Sequence, residues 1–256
     1  MDNEIDIVIP LGKGSFWGDN EELRHCLRGV EMYLSGVRNV VIVGELPKWI
    51  TNVIHIPATD DKGVAWRDRN IYRKIVLAVN DERVSDDFLF MNDDHFITTS
   101  FHAPTFPYHF REYDMIETIN KMFKNISWRT VVSNTRNFLL KNNYDVKMFD
   151  THCPIVYNRW RFGALQKADW DVPHGYGIKS LYANMNHIEG IYQPDNKIFS
   201  SEDNHNRILS KINRYPYFST DFISPPHQKA QREIIQSIYS KKSKYEIPFP
   251  PIRIPF

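Results

Sequence analysis

The first hundred residues alternate between two kinds of apolar pattern. Ile5, Ile7, Val8 and Ile9 make a short apolar run, IDIVIP, closed by Pro10 and followed by the Gly-rich polar stretch LGKGSFWGDN, which predicts a strand and then a loop. Asp19 or Asn20 can cap a helix whose first turn carries Glu21 and Glu22, after which Leu23, Leu27, Val30 and Leu34 recur at helical spacing until Gly36. VRNVVIVGE, residues 37–45, is β-branched and nearly continuous in apolar character, as a strand covered on both faces requires. NVIHIPA (52–58) predicts a third strand, WRDRNIYRKIVLAVNDE a helix through Ile71, Ile75, Leu77 and Val79, and DFLFMND a fourth strand. Strands alternating with helices imply an α/β fold with an open, mostly parallel sheet flanked by helices, in which ligands bind beyond the carboxyl ends of the strands.

Beyond residue 100 the pattern loosens into an irregular α+β half. FHAPTFPYHF is crowded with aromatic residues and proline, a helix is expected over about 111–124, and Ile234, Ile235, Ile238 and Tyr239 share one face of a late helix. KKSKYEIPFPPIRIPF then reads as an extended tail. No Pro/Gly/Ser linker separates residues 1–100 from 101–256, so the second half is expected to elaborate the same domain.

Composition changes the picture in three ways. At 256 residues and 42% hydrophobic content the chain can bury a substantial core. Cys26 and Cys153 are too few for a disulfide framework and lack zinc-site spacing, which together with the absence of a signal peptide or apolar span suggests reduced thiols in a cytoplasmic protein with no transmembrane segment. Residues 1–100 carry 11 basic and 17 acidic groups, whereas residues 101–256 carry 21 and 14, so a cation-binding half faces a half suited to anionic partners, unless the contrast is ordinary surface variation.

The sharpest chemical signal is DFLFMNDDHFIT, where an apolar strand runs directly into Asn92, Asp93, Asp94 and His95. Desolvating a carboxylate without a partner costs several kcal/mol, so an acidic pair at the end of a buried strand calls for a cation. Mg²⁺ and Mn²⁺ prefer oxygen ligands, and Mg²⁺ often takes only one or two carboxylates, leaving the rest of its shell to water and substrate phosphates. Asp93 and Asp94 suit that role. In an extended segment their side chains point to opposite faces, so only one binds directly unless the strand has already turned. A polar turn after an edge strand is the plain alternative.

DNEELRHCLRGVEMYLSGVRNVVIVGELPKWI (19–50), followed by DFLFMNDDHF, resembles the second conserved region of the Stealth family, nucleotide-sugar-dependent hexose-1-phosphate transferases of capsule synthesis and lysosomal-enzyme tagging. IDIVIPLGKG is similar in position to that family's opening strand and loop. The order of strands, helices and acidic motif is also similar to the nucleotide-binding half of a GT-A glycosyltransferase. The resemblance, which covers about residues 5–97, implies a GT-A-like fold, a nucleotide-sugar donor, and Mn²⁺ or Mg²⁺ held by Asp93 and Asp94 on the donor diphosphate. It also implies donor contacts from Pro10, Gly12, Lys13, Arg24 and Asn92, and an active-site place for Glu22, which otherwise simply favours the start of a helix. His152 in DTHCPIVYNR sits like the family's His-x-Pro region, and Glu202 and Asp203 in KIFSSEDN like its last acidic motif.

The remaining groups follow from side-chain chemistry. The guanidinium forks of Arg67, Arg69 and Arg73 suit phosphate oxygens, although Arg67 and Arg69 flank Asp68 and equally suit a salt-bridged helix start. His152 can serve as general base for an acceptor hydroxyl, with Asp203 as a second base or metal position; a structural histidine is the ordinary alternative. Lys13 and Gly14 suggest a nucleotide-facing loop, without P-loop spacing. The leading function is therefore a metal-dependent transferase that moves a sugar or sugar phosphate from a nucleotide-sugar to a glycan hydroxyl in surface glycan synthesis. The compact length favours sugar transfer. Rivals are glycosylation of a hydroxymethyl pyrimidine in DNA, suggested by the basic, aromatic second half, and a non-catalytic glycan- or nucleotide-binding protein.

Overall fold

The computed structural model describes residues 4–13, 17–60, 67–121, 125–199, 201–221 and 228–248. Its centre is a five-stranded sheet built from β1 (Ile5–Leu11), β3 (Val37–Gly44), β4 (Ile54–Ile56), β5 (Asp87–Phe90) and β9 (Ile155–Asn158), in the order β4-β3-β1-β5-β9. The first four run parallel and β9 is antiparallel to β5. The expected α/β class is thus the observed one. Helix α1 (Glu21–Tyr33) and the short β2 (Leu34–Ser35) connect β1 to β3, and α2 (Arg67–Val79) lies between β4 and β5.

Alternation along the strands explains why both faces are covered. Ile5, Ile7, Ile9 and Leu11 of β1 pack with Val40, Ile42, Leu89 and α1 residues Leu23, Cys26, Leu27 and Val30. The opposite face joins Val8, Val41, Val43, Phe88 and Phe90 to Tyr72, Ile75 and Ala78 of α2. With a period of two, one run of apolar residues supplies both layers. Near the start of β1 the fully buried Asp6 takes hydrogen bonds from Arg38 Nε (2.9 Å) and Nη2 (2.6 Å), the Asn39 amide and side chain (3.1 Å each) and the Ser85 amide (2.8 Å). One carboxylate thereby locks the registers of three neighbouring strands.

After β5 the chain forms β6 (His95–Ile97), β7 (Phe101–His102), β8 (His109–Phe110), α3 (Met115–Lys121) and α4 (Ile126–Lys141). Beyond β9 come α5 (Arg159–Phe162), α6 (Ile178–Met185), β10 (Ile191–Tyr192), β11 (Lys197–Ile198), α7 (His205–Ile212), β12 (Tyr217–Thr220) and α8 (Lys229–Ile238). β11, β12 and β6 form a second sheet, while β10 pairs with β8 and β2 with β7. Phe218 and Tyr239 complete the α1-side core and Leu181 and Tyr182 the α2-side core, so both halves of the sequence contribute to each layer.

Three expectations are corrected. Asn20 occupies the N-cap of α1 in a left-handed conformation (φ 53°) and its side chain makes no capping bond, because that backbone turns the amide away from the first-turn N–H groups. The helix expected over 111–124 is shorter, Met115–Lys121, and is followed by the sixteen-residue α4, whose Asn125 side chain accepts the Trp128 N–H at 3.0 Å. The described part of the C-terminal tail is docked: Ser243, Tyr245 and Glu246 are buried, and Glu246 ion-pairs with Arg28 (2.7 Å) and Arg24 (3.1 Å). Residues 249–256 lie outside the described residues. Cys26 and Cys153 are buried free thiols, and among the described residues no helix is long and apolar enough to cross a membrane.

Candidate active site

The chain proceeds from β1 outward to β3 and β4, then returns to place β5 on the other side of β1. This reversal opens a crevice at the carboxyl ends of β1 and β5, where ligands bind in open α/β sheets. β1 delivers Gly12 and Lys13 to that edge, and β5 delivers Asn92, Asp93 and Asp94.

The strand turns as it leaves the sheet. The His95 N–H donates to the Asn92 carbonyl at 3.3 Å, and the Asn92 N–H donates to His95 Nδ1 at 3.2 Å. Because the segment is no longer extended, the alternation that would send Asp93 and Asp94 to opposite faces does not apply. β6 then pairs with β12, setting Ser219 opposite His95, and the Ser219 hydroxyl donates to Asp94 Oδ2 at 2.8 Å. Among the described residues, Asp94 Oδ1 is buried without a hydrogen-bond partner. Burial, then Asp94 and the buried Glu22, push the Asp93 carboxyl up to about 7. Burial also opposes the Asp94 charge, but His95, Lys197 and His152 around it and the Ser219 bond outweigh it and hold its pKa below the usual value.

A second constellation meets the first. His152 lies in the turn before β9, and Asp195 just before β11. The Asp195 carboxylate accepts the His152 backbone N–H at 2.8 Å, contacts His152 Nδ1 at 2.6 Å, and accepts from Arg111 Nη1 at 3.0 Å. Burial would raise the Asp195 pKa, yet His152 and Arg111 hold it well below the carboxylate range. With Nδ1 facing a carboxylate, Nε2 carries the imidazole lone pair, 3.2 Å from Lys197 Nζ. His152 and Lys197 both bear on Asp94, so the imidazole and the acidic turn share one site.

The site residues expected from sequence divide clearly. Asp93, Asp94, Asn92, Glu22 and His152 come together. Pro10 is buried in β1 opposite Val43, Gly12 follows the strand, and Lys13 is exposed beyond it; Gly14 lies outside the described residues. Arg24 is engaged away from the crevice, where it pairs with Glu21 (2.9 Å) and Glu246 and covers the Trp49 ring at 4.2 Å. Arg67 bears on Asp93, whereas Arg69 pairs with Asp171 at 3.2 Å and Arg73 is exposed on α2. Asp203 is exposed on the loop before α7. The half-buried acidic side chain of that loop is Glu202, 11% exposed and paired with Lys211 (3.3 Å) and Arg207 (3.5 Å).

Sequence reasoning missed Asp195, Arg111, Lys197, Ser219 and Lys74. Lys74 left a signal, because it falls on the apolar stripe of α2 with Ile71, Ile75 and Ala78; Leu77, expected on that stripe, is 43% exposed. Buried Lys74 donates to the Leu11 carbonyl at 2.8 Å and pairs with Asp60 at 2.8 Å, bringing a cation to the end of β1. The other four have no local pattern.

Among the described residues, no three His, Cys, Asp or Glu side chains group as a metal site of their own. The orphaned Asp94 Oδ1 and the mutual repulsion of Asp93 and Asp94 nevertheless fit an oxygen-seeking cation that needs only one or two protein carboxylates.

No family model matches the chain, and no curated protein matches it in sequence. Among solved structures, a glycosyltransferase involved in the glycosylation of the major capsid of PBCV-1 overlaps 91% of this chain and 99% of its own, at 10% identity and a TM-score of 0.41. Glycosyltransferase GlyE of Streptococcus pneumoniae TIGR4 overlaps 94% of this chain and 61% of its own, at 9% identity and a TM-score of 0.42, so the chain spans under two thirds of that protein's length. At these TM-scores the overlaps assign no chemistry to any residue, and neither match is described as a Stealth protein.

Proposed function

We propose that the protein is a metal-dependent transferase that moves a sugar from a nucleotide-sugar to an acceptor hydroxyl, with a glycan as acceptor. The observation that carries this reading is the meeting, at one sheet edge, of the orphaned Asp94 Oδ1 with a histidine steered by the half-buried Asp195. Asp93 and Asp94 would hold Mn²⁺ or Mg²⁺. What the cation supplies when bound is neutralisation of charge on the departing diphosphate.

The chain's own groups do the rest. Asp195 accepts from Nδ1 and so fixes the tautomer in which His152 Nε2 is basic. Lys197 occupies that lone pair in this state; as a compact ammonium on a flexible stem it can turn to a donor phosphate and free Nε2 for the acceptor proton. The Ser219 bond keeps Asp94 in place, and Lys74 with Gly12 shapes the end of β1 toward the nucleotide. No observation on the site favours a DNA acceptor or a role confined to binding.

A panel of nucleotide-sugars incubated with Mn²⁺ or with a chelator, and read by mass spectrometry, tests the proposal. Release of nucleoside diphosphate reports sugar transfer or hydrolysis, whereas nucleoside monophosphate reports sugar-phosphate transfer. Asp93→Ala with Asp94→Ala should cut Mn²⁺-dependent release by at least about a hundredfold. Undiminished release by that double variant would overturn the reading.

A further inference from the structure

Two exposed tyrosines, Tyr113 and Tyr192, lie two and three positions in sequence from Arg111 and Asp195, and the proposed transfer chemistry uses neither. Tyr113 is 65% and Tyr192 50% exposed, yet their rings are parallel within 4° with centroids 5.6 Å apart. Each also meets the buried Phe110 ring edge-on, at 4.9 Å and 5.8 Å. Tyr192 is fixed in β10, where it registers with Phe110 of β8 and the Gln193 N–H donates to the Phe110 carbonyl at 2.8 Å, and Tyr113 follows the Glu112–Met148 bridge. Parallel rings of this size left in water are apolar area awaiting a partner.

We infer that this pair is an acceptor subsite that stacks against a ring of an oligosaccharide chain. The inference rests on the transferase reading and names its acceptor class. A pyranose offers flat C–H faces that pack on aromatic rings and equatorial hydroxyls that need a polar rim. That rim is present: Lys121, which bears on Tyr192, pairs with Glu112 at 2.9 Å, and Lys147 pairs with Glu189 at 3.3 Å beside Phe110. Continuity with the catalytic edge selects a glycan over other occupants. Tyr113 follows Arg111 by two positions and Tyr192 precedes Asp195 by three, and Arg111 and Asp195 are the pair that orients His152. At ~3.3 Å per residue the platform stands within ~10 Å of chain from that pair, a span of about two sugar residues. A chain stacked on the tyrosines therefore lies within reach of the Arg111–Asp195 pair that holds His152.

The test is binding of glucose, galactose and N-acetylglucosamine hexasaccharides to the full chain, by calorimetry, without donor or metal. At least one hexasaccharide should bind, and Tyr113→Ala with Tyr192→Ala should weaken it about tenfold or more, while Tyr113→Phe with Tyr192→Phe, which keeps both rings, stays within about twofold of wild type. The alanine variant is melted alongside, so that loss of binding is read from folded protein, and its donor hydrolysis should be unchanged. Asp93→Ala with Asp94→Ala should leave hexasaccharide binding intact, which separates failure of this subsite from failure of the metal reading. Equal binding by the alanine variant, no binding of any hexasaccharide by wild type, or tyrosine-dependent self-association or vesicle binding in place of glycan binding would overturn the inference.

Discussion

Asp195→Asn isolates the steering group without changing its shape. In the native site the carboxylate serves three donors, His152 N, His152 Nδ1 and Arg111 Nη1. An asparagine offers one oxygen and sets an NH₂ against the remaining N–H groups. Arg111 suffers most: its side chain is 14% exposed, and its Nε and Nη2 are already buried with no hydrogen-bond partner among the described residues, so the substitution strips a buried guanidinium of its counter-charge. Breaking a buried pair in this way costs about 3–5 kcal/mol. For a domain of this size that is a fall in melting temperature of about 6–20 °C at neutral pH. The pH dependence has a definite sign. A carboxyl whose folded pKa is depressed stabilises fully above its unfolded value, about 3.9, and loses that contribution as the pH falls through the folded value. The gap between wild type and variant should thus narrow below about pH 4, as the wild-type carboxyl takes up its proton. In the donor assay with acceptor, kcat should drop about 10²–10⁴-fold, the ordinary worth of a positioned base, while the KM for the nucleotide-sugar is unchanged. A variant that melts within about 2 °C of wild type at pH 7 would refute the electrostatic account. A folded variant with kcat within about threefold of wild type would refute the steering role.

Two other substitutions probe the frame. Burial works against the Glu246 charge, but Arg28, the Ser243 amide and Arg24 overcome it and hold its pKa at about 2. Glu246→Gln should cost about 2 kcal/mol at pH 7 and flatten the loss of stability between about pH 4 and pH 2, as followed by urea melts across that range; an unchanged acid limb would count against the docked tail. Gly44 ends β3 at φ 127°, and a Cβ there would lie 2.1 Å from the Leu11 carbonyl oxygen. Gly44→Ala should therefore destabilise by at least about 2 kcal/mol in urea unfolding, and a change under about 0.5 kcal/mol would show that the two strand ends do not approach so closely.

Local periodicity in the sequence was enough to place the four parallel strands of the central sheet, but not the antiparallel β9 that closes it. The apolar runs at 7–9 and 40–43 required strands covered on both faces, and the spacing of Leu23, Leu27 and Val30 required a helix on one of them. The Asn92–Asp94 turn at the end of the fourth parallel strand was legible for the same reason, since the apolar run stops where the acids begin. Helix α4 escaped notice because its buried stripe, Val131, Val132, Thr135 and Leu139, is short, β-branched and interrupted by polar residues. The partners in the site escaped notice for a different reason. Asp94 meets Ser219 across 125 positions, His152 meets Asp195 across 43, and Arg28 meets Glu246 across 218. A periodic pattern reports which face of an element is buried. It carries no information on which distant charge arrives there, because that is settled only when the chain closes and each buried ion must find its counter-charge.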